Sequence, residues 1–135
     1  MNFATLAPSL DTFLEDLKSA DLVGISVLQK NLGLRLNFTF GPESPNVAIE
    51  LNHLVHLILS QPLNPDDQDF CYWVGEVELK TVNPNDSDIL SVLSYPFVQK
   101  NYQDIDSSPL VYFRLEGDIS LVAICRNYKL FTEIQ

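Results

Sequence analysis

Residues 110–134 read LVYFRLEGDISLVAICRNYKLFTEI. Apolar and polar residues alternate on both sides of Glu116, Gly117 and Asp118, the period of a strand with one buried and one wet face. Gly117 and Asp118 are turn residues: Gly supplies unusual φ values and Asp bonds nearby backbone. The stretch therefore reads as a β-hairpin, with strands expected over 110–116, 119–126 and 128–134.

The same period runs back through the chain. Leu34, Leu36, Phe38 and Phe40 share one face, while Arg35, Asn37 and Thr39 take the other. Gly41-Pro42 stops this strand, and Ser44-Pro45 prolongs the loop. A shorter strand is expected at Ile25, Val27 and Leu28, followed by a turn at Lys30-Asn31. Residues 71–82 also alternate, with Trp73, Val77 and Leu79 assigned to the core and Tyr72, Glu76, Glu78 and Lys80 to the opposite face. Residues 47–59 fit either period. A strand places Val47, Ile49, Leu51, His53, Val55, Leu57 and Leu59 together, whereas a helix leaves Ile49, Leu57 and Leu59 off its stripe. The strand accounts for more residues, and its length calls for a bulge near Asn52.

Only the N-terminal part has a clear helical period. In SLDTFLEDLKSA, residues 9–20, Leu10, Phe13, Leu14 and Leu17 form one stripe, with Ser9 placed to cap it and Gly24 marking the end of the helical region. A second short helix is expected through Ile89, Leu90, Leu93 and Tyr95, ending before Pro96. These elements predict an α+β fold: a mostly antiparallel, curved sheet of six to seven strands with the N-terminal helix on one face. A β-sandwich or an open barrel is the alternative.

The chain has 135 residues, 46% of them hydrophobic, and eight Phe. A chain of this size forms one domain, 1–135, and buries roughly two-thirds of its unfolded surface without disulfides or metal. No run approaches the ~20 apolar residues of a membrane span. The first ten residues lack the basic segment of a secretory leader, so a cytoplasmic protein is expected. Eighteen acidic against eight basic residues give a net charge of −10. That balance opposes nucleic acid and anionic membranes and favours, if anything, a basic protein partner. Cys71 and Cys125 are too far apart in sequence for a metal knuckle and read as buried thiols.

Residues that could carry chemistry are few. Glu50, His53 and His56 have ligand spacing on a helix, but on a strand the two imidazoles diverge, so no metal is expected. The acidic loops at Asp66, Asp67 and Asp69, and at Asp86 and Asp88, lack the glycine and terminal Glu of a calcium loop. Glu76 and Glu78 share a strand face about 7 Å apart. No nucleophile elbow or phosphate loop is present, and no cofactor is expected. Three functions follow as expectations. The first is a non-enzymatic binding or adaptor module, monomeric or homodimeric, recognising a protein through a sheet face with Tyr72, Glu76, Glu78 and Tyr112. The second is a carrier for a small apolar ligand held between the sheet and helix 9–20, with Trp73 or His53 at the pocket wall. The third is a hydrolase or isomerase using Glu76, Glu78 and a His.

Overall fold

A computed structural model describes residues 9–62, 72–83 and 109–133, together with the backbone of 3–5. The expected helix at 89–95, the acidic loops at 66–69 and 86–88, and Cys71 lie outside these residues. Within them the fold is α+β, with one helix packed on a curved antiparallel sheet.

Helix α1 (Leu10–Leu17) buries Phe13, Leu14 and Leu17 and turns Asp11, Glu15 and Asp16 to solvent. Ser9 occupies the cap position, but its hydroxyl makes no capping bond; its carbonyl accepts from the Phe13 N–H at 3.2 Å. The helix ends earlier than Gly24. Tight turns from Lys18 and Ala20 close it, and β2 (Asp21–Leu28) starts at once. Leu22 is fully buried in that strand, so the chain goes extended as soon as the helical stripe is spent.

Among the described residues, seven strands follow the order β1-β7-β4-β3-β2-β5-β6, and β6 pairs also with β7, so the sheet curls until it meets itself. The strands are β1 (Phe3–Thr5), β2, β3 (Gly33–Thr39), β4 (Val47–Ser60), β5 (Tyr72–Val82), β6 (Leu110–Gly117) and β7 (Ser120–Glu133). All pairings are antiparallel. Closure is narrowest between β2 and β5, which share only Asp21 opposite Trp73 and Leu22 opposite Tyr72. Inside the curl lies one apolar cluster. Leu34, Leu36 and Phe38 of β3 meet Ile49 and Leu51 of β4, Phe113 and Leu115 of β6, and the helix stripe.

Residues 47–59 are strand, as the larger apolar count indicated, but the face is not continuous. Leu51 stands opposite Tyr128, and Leu54 opposite Cys125, with all four side chains on the core. Two residues rather than one separate them on each strand, and His53 adopts a left-handed φ of 57° there. A register shift follows between Leu54 and His56. The irregularity thus spans residues 52–55, beside the expected bulge at Asn52. It turns His53 outward and brings Leu54 in, and such kinks bend a long strand around a core. The expected break between 126 and 128 is absent: β7 runs through as one strand of 14 residues.

Phe113 is fully buried in the centre of the cluster. Phe113→Ala is expected to lower the unfolding free energy by about 3–5 kcal/mol, from lost transfer energy and the cavity left behind. Urea unfolding followed by far-UV circular dichroism measures it.

Candidate functional site

Three of the four candidate residues come together on the outer face of β5 and β6. Glu76 stands opposite Glu116, Glu78 opposite Arg114, and Lys80 opposite Tyr112. Arg114 lies among the carboxylates, 2.7 Å from Glu116, 3.4 Å from Glu76 and 3.6 Å from Glu78. Lys80 reaches Glu78 at 3.1 Å and lies 5.2 Å from the centre of the Tyr112 ring. The hydrogen bond with Glu116, followed by the charges of Glu116, Glu78 and Glu76, raises the Arg114 pKa against the opposing cost of burial. The guanidinium stays charged wherever the protein is folded.

Tyr72 does not join this group, and Trp73 is not in the core. A bulge between Val74 and Glu76 leaves Gly75 as an extra residue, which reverses the faces assigned to everything before it. Val74 is therefore fully buried, while Trp73 points out on the Glu76 side and is 58% exposed. Tyr72 falls on the core side at the open end of the sheet. There it lines a groove of about 310 Å³ with Ile25, Leu59, Gln61 and Ile119. The expected Tyr72–Tyr112 patch is replaced by Trp73, Glu76, Glu78 and Tyr112.

The backbone of Trp73 is held from two directions. Its N–H donates to the Asp118 carboxylate at 2.7 Å, and its carbonyl accepts from the Asp118 N–H at 3.1 Å. Gly117 is needed for this approach, because a Cβ there would overlap the Trp73 carbonyl oxygen. Asp118 is thus more than a turn residue: it ties the β6–β7 hairpin to the start of β5. Beside the clamp, a second groove of about 320 Å³ runs between Ser60, Gln61 and Pro62 and the 116–120 turn. Ile58 and Leu59, 51% and 49% exposed, border this end of β4.

The histidines stand elsewhere. Glu50 is engaged by Arg35 at 3.2 Å, His53 is exposed at the β4 kink, and His56 is buried beyond it. Among the described residues, no three His, Cys, Asp or Glu side chains gather as metal ligands. The row through His56 crosses Ile124, Tyr112 and Lys80. Three strand spacings, roughly 14 Å, therefore separate β4 from β5 along it. Glu76 and Glu78 are paired with Arg114 and Lys80 and lack the His contact that acid–base work requires. Cys125 is fully buried, and its thiol donates to the Asn127 carbonyl at 3.3 Å. Burial pushes its pKa up to about 12, against the smaller opposing effect of backbone hydrogen bonds at Asn127 and Asn52. No helix among the described residues is long and apolar enough to cross a membrane.

Compared with known proteins, the sequence matches no family model and no curated protein.

Gly117→Ala is expected to cost about 1–3 kcal/mol in urea unfolding, because the added methyl forces apart the hairpin and β5. For Cys125 the thiolate is disfavoured in the folded state, so the native chain holds its proton where the unfolded chain releases it. Stability from this group is complete below pH 9 and is lost as pH rises towards about 12. In a Cys71→Ser background, iodoacetamide at pH 8 should label Cys125 only after urea is added, as read by intact mass.

Proposed function

We propose that this chain is a binding module of the cytoplasm, without catalysis of its own, that docks a basic segment of a protein partner. Trp73 serves as its apolar anchor and the carboxylates beside it as its charged rim. The observation that carries this reading is Trp73, a residue with a pinned backbone that is 58% exposed. Leaving a large indole in water forfeits burial energy, and Trp is among the residues most enriched at interaction hot spots. Its surroundings fit the role. Glu76, Glu78, Glu116 and Asp118 outnumber Arg114 and Lys80 on this surface, and the chain as a whole carries −10. Such a field speeds encounter with a cationic partner and disfavours anionic ones. A free, buried cysteine such as Cys125 suits a reducing compartment.

A second reading keeps a small apolar ligand, on the strength of the groove walled by Ile25, Leu59, Tyr72 and Ile119. No residue of helix α1 is among its described lining, unlike the pocket expected between helix and sheet.

Trp73 is the only tryptophan, so its fluorescence reports directly on this surface. The free protein should show red-shifted emission readily quenched by acrylamide. In affinity capture from cell extract, a partner should be enriched by the wild type, reduced by Glu76→Gln with Glu78→Gln, and lost with Trp73→Ala. The same purified partner should shift the emission to the blue. Equal capture by wild type and Trp73→Ala, with both folded by circular dichroism, would reject Trp73 as the anchor.

A further inference from the structure

A cleft of about 730 Å³ lies at the β4 kink, lined by residues of β2 and the turn after it, of β4 and of β7, and Trp73 is not among them. Lys30, in the turn after β2, and Lys129, on β7, stand on its walls. The other cations of the described residues are already engaged. Lys18 pairs with Glu15, Arg35 with Glu50, Lys80 with Glu78, and Arg114 with three glutamates, while Arg126 also has a partner. Lys30 and Lys129 are exposed and form no ion pair within the described residues. In a chain with ten more acidic than basic residues, the two lysines without an ion pair line the same cleft.

The remaining lining is rich in hydrogen-bond donors. Asn31, Asn52 and Asn127 offer amides, and His53 offers an imidazole. Glu50 is the one carboxylate among the described lining residues, and Arg35 holds it at 3.2 Å while stacking 5.0 Å from the Phe131 ring. Glu50 stands directly opposite Lys129 in the register, yet its ion pair goes to Arg35 on the other side. The backbone here is also unusual. Asn31, Leu32 and His53 are the described non-glycine residues with left-handed φ, at 62°, 44° and 57°, and two of them line the cleft. Such conformations cost energy and persist where the surroundings impose them. At His53 the result is an imidazole directed outward, beside the amides, instead of into the core.

We infer that this cleft is a binding site for a small anionic molecule carrying phosphate or carboxylate groups. Two free ammonium groups, three amides and an imidazole present donors to one volume, the arrangement that chelates an anion with several oxygens. The cavity suits a small molecule. A nucleic acid requires a track of many cations, and the rest of the surface opposes it. The long-range field of the chain repels anions as well, so recognition depends on short contacts inside the cleft.

The test is a two-dimensional ¹H–¹⁵N NMR titration of the full chain with inorganic pyrophosphate and, in a separate series, with citrate. Saturable shifts centred on Lys30, Asn31, Asn52, His53, Asn127 and Lys129 with either anion support the site, and the stronger of the two identifies the preferred group. Lys30→Gln with Lys129→Gln should weaken the Kd roughly tenfold or more, given the strength of hydrogen bonds to charged groups. Both lysines are exposed, so the variant should keep its circular dichroism spectrum and urea midpoint. His53→Ala, which leaves both charges in place, should weaken binding by a smaller factor. Shifts that fail to saturate, that spread over the surface, or that persist unchanged in the double lysine variant would overturn the assignment.

Discussion

The ladder between β4 and β7 holds the molecule together. It carries twelve register pairs, more than any other pairing in the sheet. β7 also receives β6 along its first half and β1 at its end, so the curl of the whole sheet is transmitted through this strand. A straight ribbon of that length cannot wrap a core as small as this one. The kink at 52–55 and the register shift after Leu54 supply the bend, at the cost of one histidine in a left-handed conformation. The kink that supplies curvature thus also contributes Asn52 and His53 to the cleft.

The strand period is legible in this sequence wherever nothing is inserted. β3 has no insertion, and its Leu34, Leu36 and Phe38 all reach the core. In β5 one extra residue exchanges the roles of Tyr72 and Trp73, because a shift of one position sends each side chain to the opposite face. Alternation alone cannot detect such a slip. Gly75 was the available signal, since a glycine within an alternating run marks a bulge or a close approach of backbone. Here it marks both: a Cβ on Gly75 would sit 3.0 Å from the Glu116 carbonyl oxygen and from the Trp73 ring. The pairing of Glu76 and Glu78 on one face was legible because both follow the bulge. The cleft was not. It joins residues from a turn, a kink and a third strand, far apart in the chain, and unremarkable singly.

The two surfaces proposed for binding divide the charge of the protein between them. From His53 to Ser60 along β4 is roughly 20 Å of strand, longer than the Debye length at physiological salt. Cations in the cleft therefore do little to neutralise the carboxylates near Trp73, and those carboxylates do little to block the cleft. An acidic chain can in this way keep one local site for anions while its overall field favours a cationic partner elsewhere.

Within the acidic surface, Arg114 has a particular part. Glu76 and Glu116 face each other directly across β5 and β6, an arrangement in which like charges destabilise a sheet. A guanidinium between them offsets this repulsion and, by bonding Glu116 most closely, fixes the direction of the carboxylates. Glu76 and Glu116 remain half or more exposed, and pairs of this kind contribute at most about 1 kcal/mol to stability. A sheet built only for stability would have placed opposite charges, or a β-branched pair, at those two positions. Three carboxylates paired with one cation near an exposed indole add little to the fold. For the partner proposed above, side chains already paired on the surface would lose less entropy on docking than free ones would.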